Sequence, residues 1–306
     1  MSVFIALLLP LGLLLIALAG VAAFLRAGRL ETTRGADARG GGGESGGRGG
    51  VVAVLRGGPL GRLSAPLRFA VVAAGTLAVG WGISAALGPV AVASQPFDDW
   101  VYQGMVDNQI GAWKSFNDVI TDVSTSWLVR GTCVGAALML ALVWRRHRWL
   151  PAAAMGVMLF ASHYLVLGLT YLMDRPAPPD SGGTYPSGGN VRVVAVYGIV
   201  AVFFFLSART GPRGRVIGWT ILALLAWIEA YSRTYLAVHW VSDVIAGLIF
   251  GVFLLIALNL ATRAVIGDDD PARDPAEPDA AGPEPAYAAS APQRATTGAA
   301  GPGGMA

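Results

Sequence analysis

The residues best suited to do chemistry in this chain stand close together in Tyr231-Ser232-Arg233-Thr234-Tyr235-Leu236-Ala237-Val238-His239-Trp240-Val241-Ser242-Asp243. An imidazole can attack phosphorus, and a guanidinium can hold phosphate oxygens in a bidentate grip while offsetting their charge. His239 and Asp243 are four residues apart, so on a helix they share one face and the carboxylate can hold the imidazole. Arg233, His239 and Asp243 stand at the mouth of an apolar stretch, where ionisable groups are costly and functional by default. Two further segments carry compatible groups, Asp174-Arg175-Pro176 and Tyr185-Pro186-Ser187-Gly188-Gly189-Asn190. Ser187 and Gly188 precede an apolar run that begins at 191, so free N–H groups and a helix dipole can cradle an anion there.

Those residues have to be positioned by membrane helices. The chain has 306 residues, 54% hydrophobic and 13% charged, which is the composition of a polytopic membrane protein. Apolar stretches long enough, or nearly so, to cross the bilayer fall at roughly 3–25, 68–93, 127–144, 149–172, 191–208, 215–231 and 241–263. The expected organisation is an N-terminal span (1–25), a Gly/Arg-rich linker (26–66), a six-span domain (67–265) and a disordered acidic, Pro/Ala-rich tail (266–306). The first span has no basic leader before its long apolar run, so it reads as a retained helix. One cysteine and three histidines give neither a disulfide framework nor a multi-histidine metal centre, and the candidate residues require no metal or other cofactor.

Arginines orient the helices. The linker, the 145–148 turn (Arg-Arg-His-Arg) and the turn near 209–215 are alternate loops and basic, so they are expected on the cytoplasmic side, with the tail. Loops 94–126, 173–190 and 232–240 then face outward, and all the candidate residues converge on that face. The first of these loops is acidic, with Asp98, Asp99, Asp107, Asp118 and Asp122, and its apolar spacing suits amphipathic helices at the interface. Such clustering at one face, with few charges along an intramembrane path, argues against a transporter.

At these residues the chain resembles the type 2 phosphatidic acid phosphatase family, which also includes polyprenyl diphosphate phosphatases and vanadium haloperoxidases. The family's motifs run K-x6-R-P, then P-S-G-H, then S-R-x5-H-x3-D. The third is complete as Ser232, Arg233, His239 and Asp243. The second keeps Pro186, Ser187 and Gly188 but has Gly189 in place of His, and the first keeps Arg175 and Pro176 but has Gly168 in place of Lys. The resemblance spans about residues 66–263. It implies an all-α bundle with a six-span core and a phosphohistidine mechanism. His239 is the implied nucleophile oriented by Asp243, and Arg175, Ser187, Gly188, Ser232 and Arg233 are the implied phosphate ligands. Its partners are a membrane lipid substrate and the bilayer, with no nucleic acid.

The family's second-motif His protonates the leaving alkoxide, and neither Gly189 nor, with one glycine counted as an insertion, Asn190 can do so. General acids contribute about 10²–10⁴-fold, whereas a phosphate leaving a diphosphate needs far less help. A diphosphate preference is therefore the expectation for a chain without this acid. His163 lies roughly 18 Å along its helix from Arg175 and reads as a core histidine. Arg130 and Arg192 are candidate substitutes for the absent Lys. The functions left open are a lipid phosphatase, a relative that binds lipid phosphate without turning it over, and a phosphoryl transferase to a lipid or sugar alcohol.

Overall fold

A computed structural model describes residues 59–266 apart from Arg146, Asp180 and Arg209. The expected N-terminal span, the linker up to residue 58 and the tail from 267 lie outside the described residues. Among the described residues six helices are long and apolar enough to cross a membrane: α1 (Ala65–Ala93), α4 (Ser126–Val143), α5 (Trp149–Met173), α6 (Gly188–Ser207), α7 (Pro212–Tyr235) and α8 (Val241–Ile266). Between α1 and α4 run two shorter helices, α2 (Gln95–Val106) and α3 (Gly111–Thr121), followed by a 3₁₀ turn at Asp122–Ser124. This is the all-α, six-span bundle expected from the sequence. Prolines sit in the first turns of α1, α2 and α7, where a missing N–H leaves no helical bond unmade. A wide π turn interrupts α5 at Ala161–Leu165 and α6 at Val193–Tyr197.

Helix α6 is the most enclosed span, and α8 packs closely along it. In a bilayer, association rests on close van der Waals contact, which small residues permit. A Cβ placed on Gly247 of α8 would fall 2.5 Å from the Ser187 carbonyl oxygen and 3.2 Å from Asn190 Cβ. Glycine at 247 thus lets α8 lie directly against the first turn of α6. Deeper in the bundle, Phe250, Leu254 and Leu258 of α8 and Ile199 and Phe203 of α6 are fully buried.

The short helices brace the same end of the bundle. Val101 and Met105 of α2 pack with Tyr235 and Val241. The Trp113 indole N–H donates to the Tyr231 hydroxyl at 3.0 Å, and the Ile110 N–H donates to the Tyr235 hydroxyl at 2.8 Å. Ile110, Trp113, Phe116 and Val119 remain exposed, the apolar face expected of helices lying at the interface.

Candidate active site

Helix α7 ends in a turn that sets the geometry of the loop after it. The Ala237 N–H bonds to the Thr234 carbonyl (3.0 Å) and the Val238 N–H to the Arg233 carbonyl (3.2 Å), the paired bonds of a Schellman cap. Ala237 takes the left-handed conformation this cap requires, at φ 57°. The chain reverses there, so His239 lies in the connection and not on α8, which starts at Val241. The helical spacing read from His239 and Asp243 therefore does not apply. The imidazole meets the backbone of Thr184, and its Nδ1 is buried without a partner. Desolvation first, then the Arg233 and Arg192 guanidiniums, push its pKa down to about 3, so at neutral pH the ring keeps a lone pair for attack on an electrophile.

Arg233 and Arg192 belong to a polar cluster inside the end of the bundle. Arg233 Nε donates to Glu229 Oε1 at 2.7 Å, one helical turn back on α7, and Arg233 Nη2 donates to Ser124 Oγ at 2.6 Å. Ser124 Oγ donates in turn to Glu229 Oε1 at 2.6 Å, and Arg192 Nε donates to the Ser124 carbonyl at 2.9 Å. Glu229 is 2% exposed, and its Oε2 has no partner. The Arg233 side chain keeps 18% of its surface, so this guanidinium can be reached from outside.

Arg175 is placed differently. It follows Asp174, whose left-handed backbone (φ 43°) closes α5, and its side chain is 2% exposed. Nη1 donates to Ser242 Oγ (2.6 Å) and Asp243 Oδ1 (2.7 Å), and Nη2 donates to Gln95 Oε1 (2.7 Å) and Asp98 Oδ2 (2.6 Å). Asp98 also accepts the Ser242 hydroxyl and its N–H. The expectation that Asp243 holds His239 is thus corrected: Asp243 points to Arg175, because the turn at 236–240 carries the imidazole away from the first turn of α8. Trp240 is buried beside this cluster. Its N–H donates to the Pro176 carbonyl at 2.8 Å, and its ring lies 5.8 Å from the Arg175 guanidinium.

The remaining candidate residues divide between the two clusters. Ser187 caps α6 and is fully buried, its hydroxyl on Asn190 Oδ1 (2.8 Å) and its N–H on the Asp243 carbonyl (2.9 Å). Its N–H is therefore already used, and the open donors at this helix start are those of Gly188, Gly189 and Asn190, ahead of the first helical bond from Val191. Ser232 turns back onto the Glu229 carbonyl (2.9 Å). The Arg192 head group curls over this turn, since a Cβ on Gly188 would lie 3.3 Å from its Nη1. Arg130 is exposed and lies over the Trp127 ring, and His163 is exposed beside Tyr164, not a core residue. The loop before Ser187 is pinned by Tyr185, whose buried hydroxyl donates to the Ser84 carbonyl (2.8 Å) and whose pKa is raised to about 12, mainly by burial.

Sequence reasoning missed Glu229, Ser124 and Asp98. Glu229 carried a usable signal: a carboxylate inside an apolar span, four residues before an Arg, is both expensive and partnered. Asp98 did not, since four other aspartates in the same segment stay exposed.

Six spans with a polar cluster of imidazole and guanidiniums at one end define a polytopic helical membrane protein with the means to hold a phosphoryl group. The chain belongs to the PAP2 superfamily, which matches residues 69–266. It is similar to phosphatidylglycerophosphatase B of Bacillus subtilis (strain 168), at 29% identity over 79 residues. That stretch is 26% of this chain and 39% of the relative, so well under half of the relative is matched. Among solved structures, the crystal structure of the first transmembrane PAP2 type phosphatidylglycerolphosphate phosphatase from Bacillus subtilis shares the fold. Its TM-score is 0.52 at 21% identity, over 60% of this chain and 92% of that one.

Proposed function

We propose that the protein is an integral membrane lipid phosphatase that hydrolyses a glycerolipid phosphate or a polyprenyl diphosphate, at a site facing away from the cytoplasm. The observation that carries this reading is His239, held neutral beside Arg233 and Arg192 at one end of the bundle. A neutral imidazole is the form that attacks phosphorus, and guanidiniums fixed in advance stabilise the charge that gathers on the equatorial oxygens. His239 takes the phosphoryl group, Arg233 and Arg192 hold its oxygens with the open N–H groups of Gly188 and Gly189, and water releases phosphate. The ordered motifs around Arg175, Ser187 and His239 support the same reading, as does the name of the Bacillus relative.

Trapping the intermediate tests it. Rapid quenching after addition of a lipid phosphate with a labelled phosphoryl group should leave label on the protein, stable in base and lost in acid. The His239→Ala variant should carry none. Label that survives acid, or that persists in the variant, counts against a phosphohistidine. One observation favours a second reading, a relative that binds lipid phosphate without turnover: both Nη atoms of Arg175 are already taken by Ser242, Asp243, Gln95 and Asp98. In that case the parent protein binds lipid phosphate and releases none.

A further inference from the structure

Gly189 leaves the site without a side chain at one position, and the space it vacates is filled from α7. A Cβ on Gly189 would lie 2.7 Å from Glu229 Oε1, 2.8 Å from Ser124 Oγ and 2.9 Å from Arg233 Nη2. A side chain at 189 fits only if these side-chain ends move aside, so the Glu229 carboxylate takes up room that a residue-189 side chain would need.

Glu229 is also incompletely satisfied. Oε1 takes both donors, Ser124 Oγ and Arg233 Nε, while Oε2 is buried with none. An orphaned buried oxygen on a charged group is costly, and such groups persist where a proton or ligand completes them. The carboxylate shares Arg233 with whatever binds that guanidinium, and Arg233 is one of the two cations acting on His239. Nucleophile and carboxylate thus border the same phosphate-holding group.

We propose that Glu229 is the general acid–base of this site, its Oε2 delivering a proton to the leaving oxygen and later taking one from water. The inference rests on the phosphatase reading above. A phosphoryl group at Arg233 competes for the cation of this carboxylate, and the partnerless Oε2 is the oxygen open to carry the proton it delivers. A ring nitrogen of His239 then forms the bond to phosphorus as the bond from phosphorus to the leaving oxygen breaks. That electron pair stays on the oxygen, which takes the Oε2 proton and departs as the lipid alcohol. In the second half, water oxygen bonds to phosphorus, one water proton returns to Glu229, and the phosphorus–nitrogen bond breaks with its pair restored to the imidazole. The sum is lipid phosphate plus water giving lipid alcohol plus phosphate. With this acid in place, a diphosphate preference is no longer required.

The test is leaving-group dependence in the full-length protein in detergent, comparing phosphatidic acid, whose alkoxide needs a proton, with p-nitrophenyl phosphate, whose phenolate does not. Glu229→Gln keeps the shape and the Ser124 contact. It should slow alcohol release in the first turnover of phosphatidic acid by about 10²-fold or more while leaving the first-turnover burst of p-nitrophenolate within about threefold of the parent, breakdown of the phosphoenzyme being slowed alike with both. The double variant Gly189→His with Glu229→Ala removes the nearest of the three obstructing side-chain ends and frees those of Ser124 and Arg233 from their shared partner, offers an imidazole in the same space, and should recover part of the lost phosphatidic acid turnover. Equal losses in the first-turnover rate on both substrates, or no loss on either, would overturn the inference while His239-dependent release leaves the phosphatase reading intact. No release by the parent from any substrate overturns that reading and this inference with it.

Discussion

Two arginines at the same end of the bundle are held in opposite ways. Around Arg175, two carboxylates and two neutral acceptors close on one guanidinium, and almost nothing of it reaches the surface. Around Glu229, Arg233 and Arg192 gather near one carboxylate, and Arg233 stays partly exposed. The first arrangement fills both Nη atoms of Arg175, leaves only its Nε without a partner, and ties α2, the end of α5 and the start of α8 together. The second carries an excess of positive charge and an orphaned oxygen, so an anion improves it. Under the proposed function, Arg175 is a clamp that fixes the loops and Arg233 a receptor for a phosphoryl group, although both arginines belong to the sequence motifs.

The contrast is sharpest at the nucleophile. His239→Ala should lower phosphate release on the order of 10³-fold or more while the melting temperature in detergent stays near that of the parent. Arg233→Ala should cost about 10²–10³-fold, chiefly in kcat, because it removes a group that acts on transition-state charge. Arg175→Ala should instead show itself first in stability, by about 3–5 kcal/mol, because it strands Asp98 and Asp243 without their cation. Denaturant unfolding in detergent would measure it. A variant that loses activity but keeps full stability would put Arg175 on the receptor side.

The pH dependence follows from His239. Its folded pKa lies near 3 and its ordinary value at 6.5, so the unfolded chain binds the proton first as pH falls. The stability it contributes is complete above pH 6.5 and is lost progressively down to about pH 3. Melting temperatures of the parent and of His239→Gln should therefore lie close together at neutral pH and diverge as pH falls from 6.5 toward 3, the parent alone losing stability. The smallest expected effect is a gain. Ala237→Gly relieves a left-handed alanine at the cap of α7 and should add roughly 1 kcal/mol, read from the same unfolding curves.

Hydropathy alone located all six described spans, since a bilayer demands long apolar helices and few polypeptide solutions meet that demand. It misjudged α7, which runs to Tyr235 and not to 231, because Glu229, Ser232 and Arg233 interrupt the apolar pattern while still lying on the helix. The candidate residues were legible as types and spacings, but their pairing was not. Asp243 was read as the partner of His239, and only the reversal at Ala237 reveals that it faces Arg175. Glu229 was passed over because its meaning comes from Gly189, a residue 40 positions away whose lack of a side chain is visible only across the helix interface.

The π turn at Val193–Tyr197 bears on how chain length can vary without disturbing chemistry. A wide turn behaves as one residue inserted into an α-helix, with the flanking turns kept in phase. Removing one residue there restores an ordinary helix, and Gly189 still faces α7. Removing one from the regular turns of Gly198–Ser207 rotates one half of the span against the other by roughly 100°. The turn is thus a place where α6 can absorb insertions and deletions, a slack link between the end that handles phosphate and the remainder that anchors it.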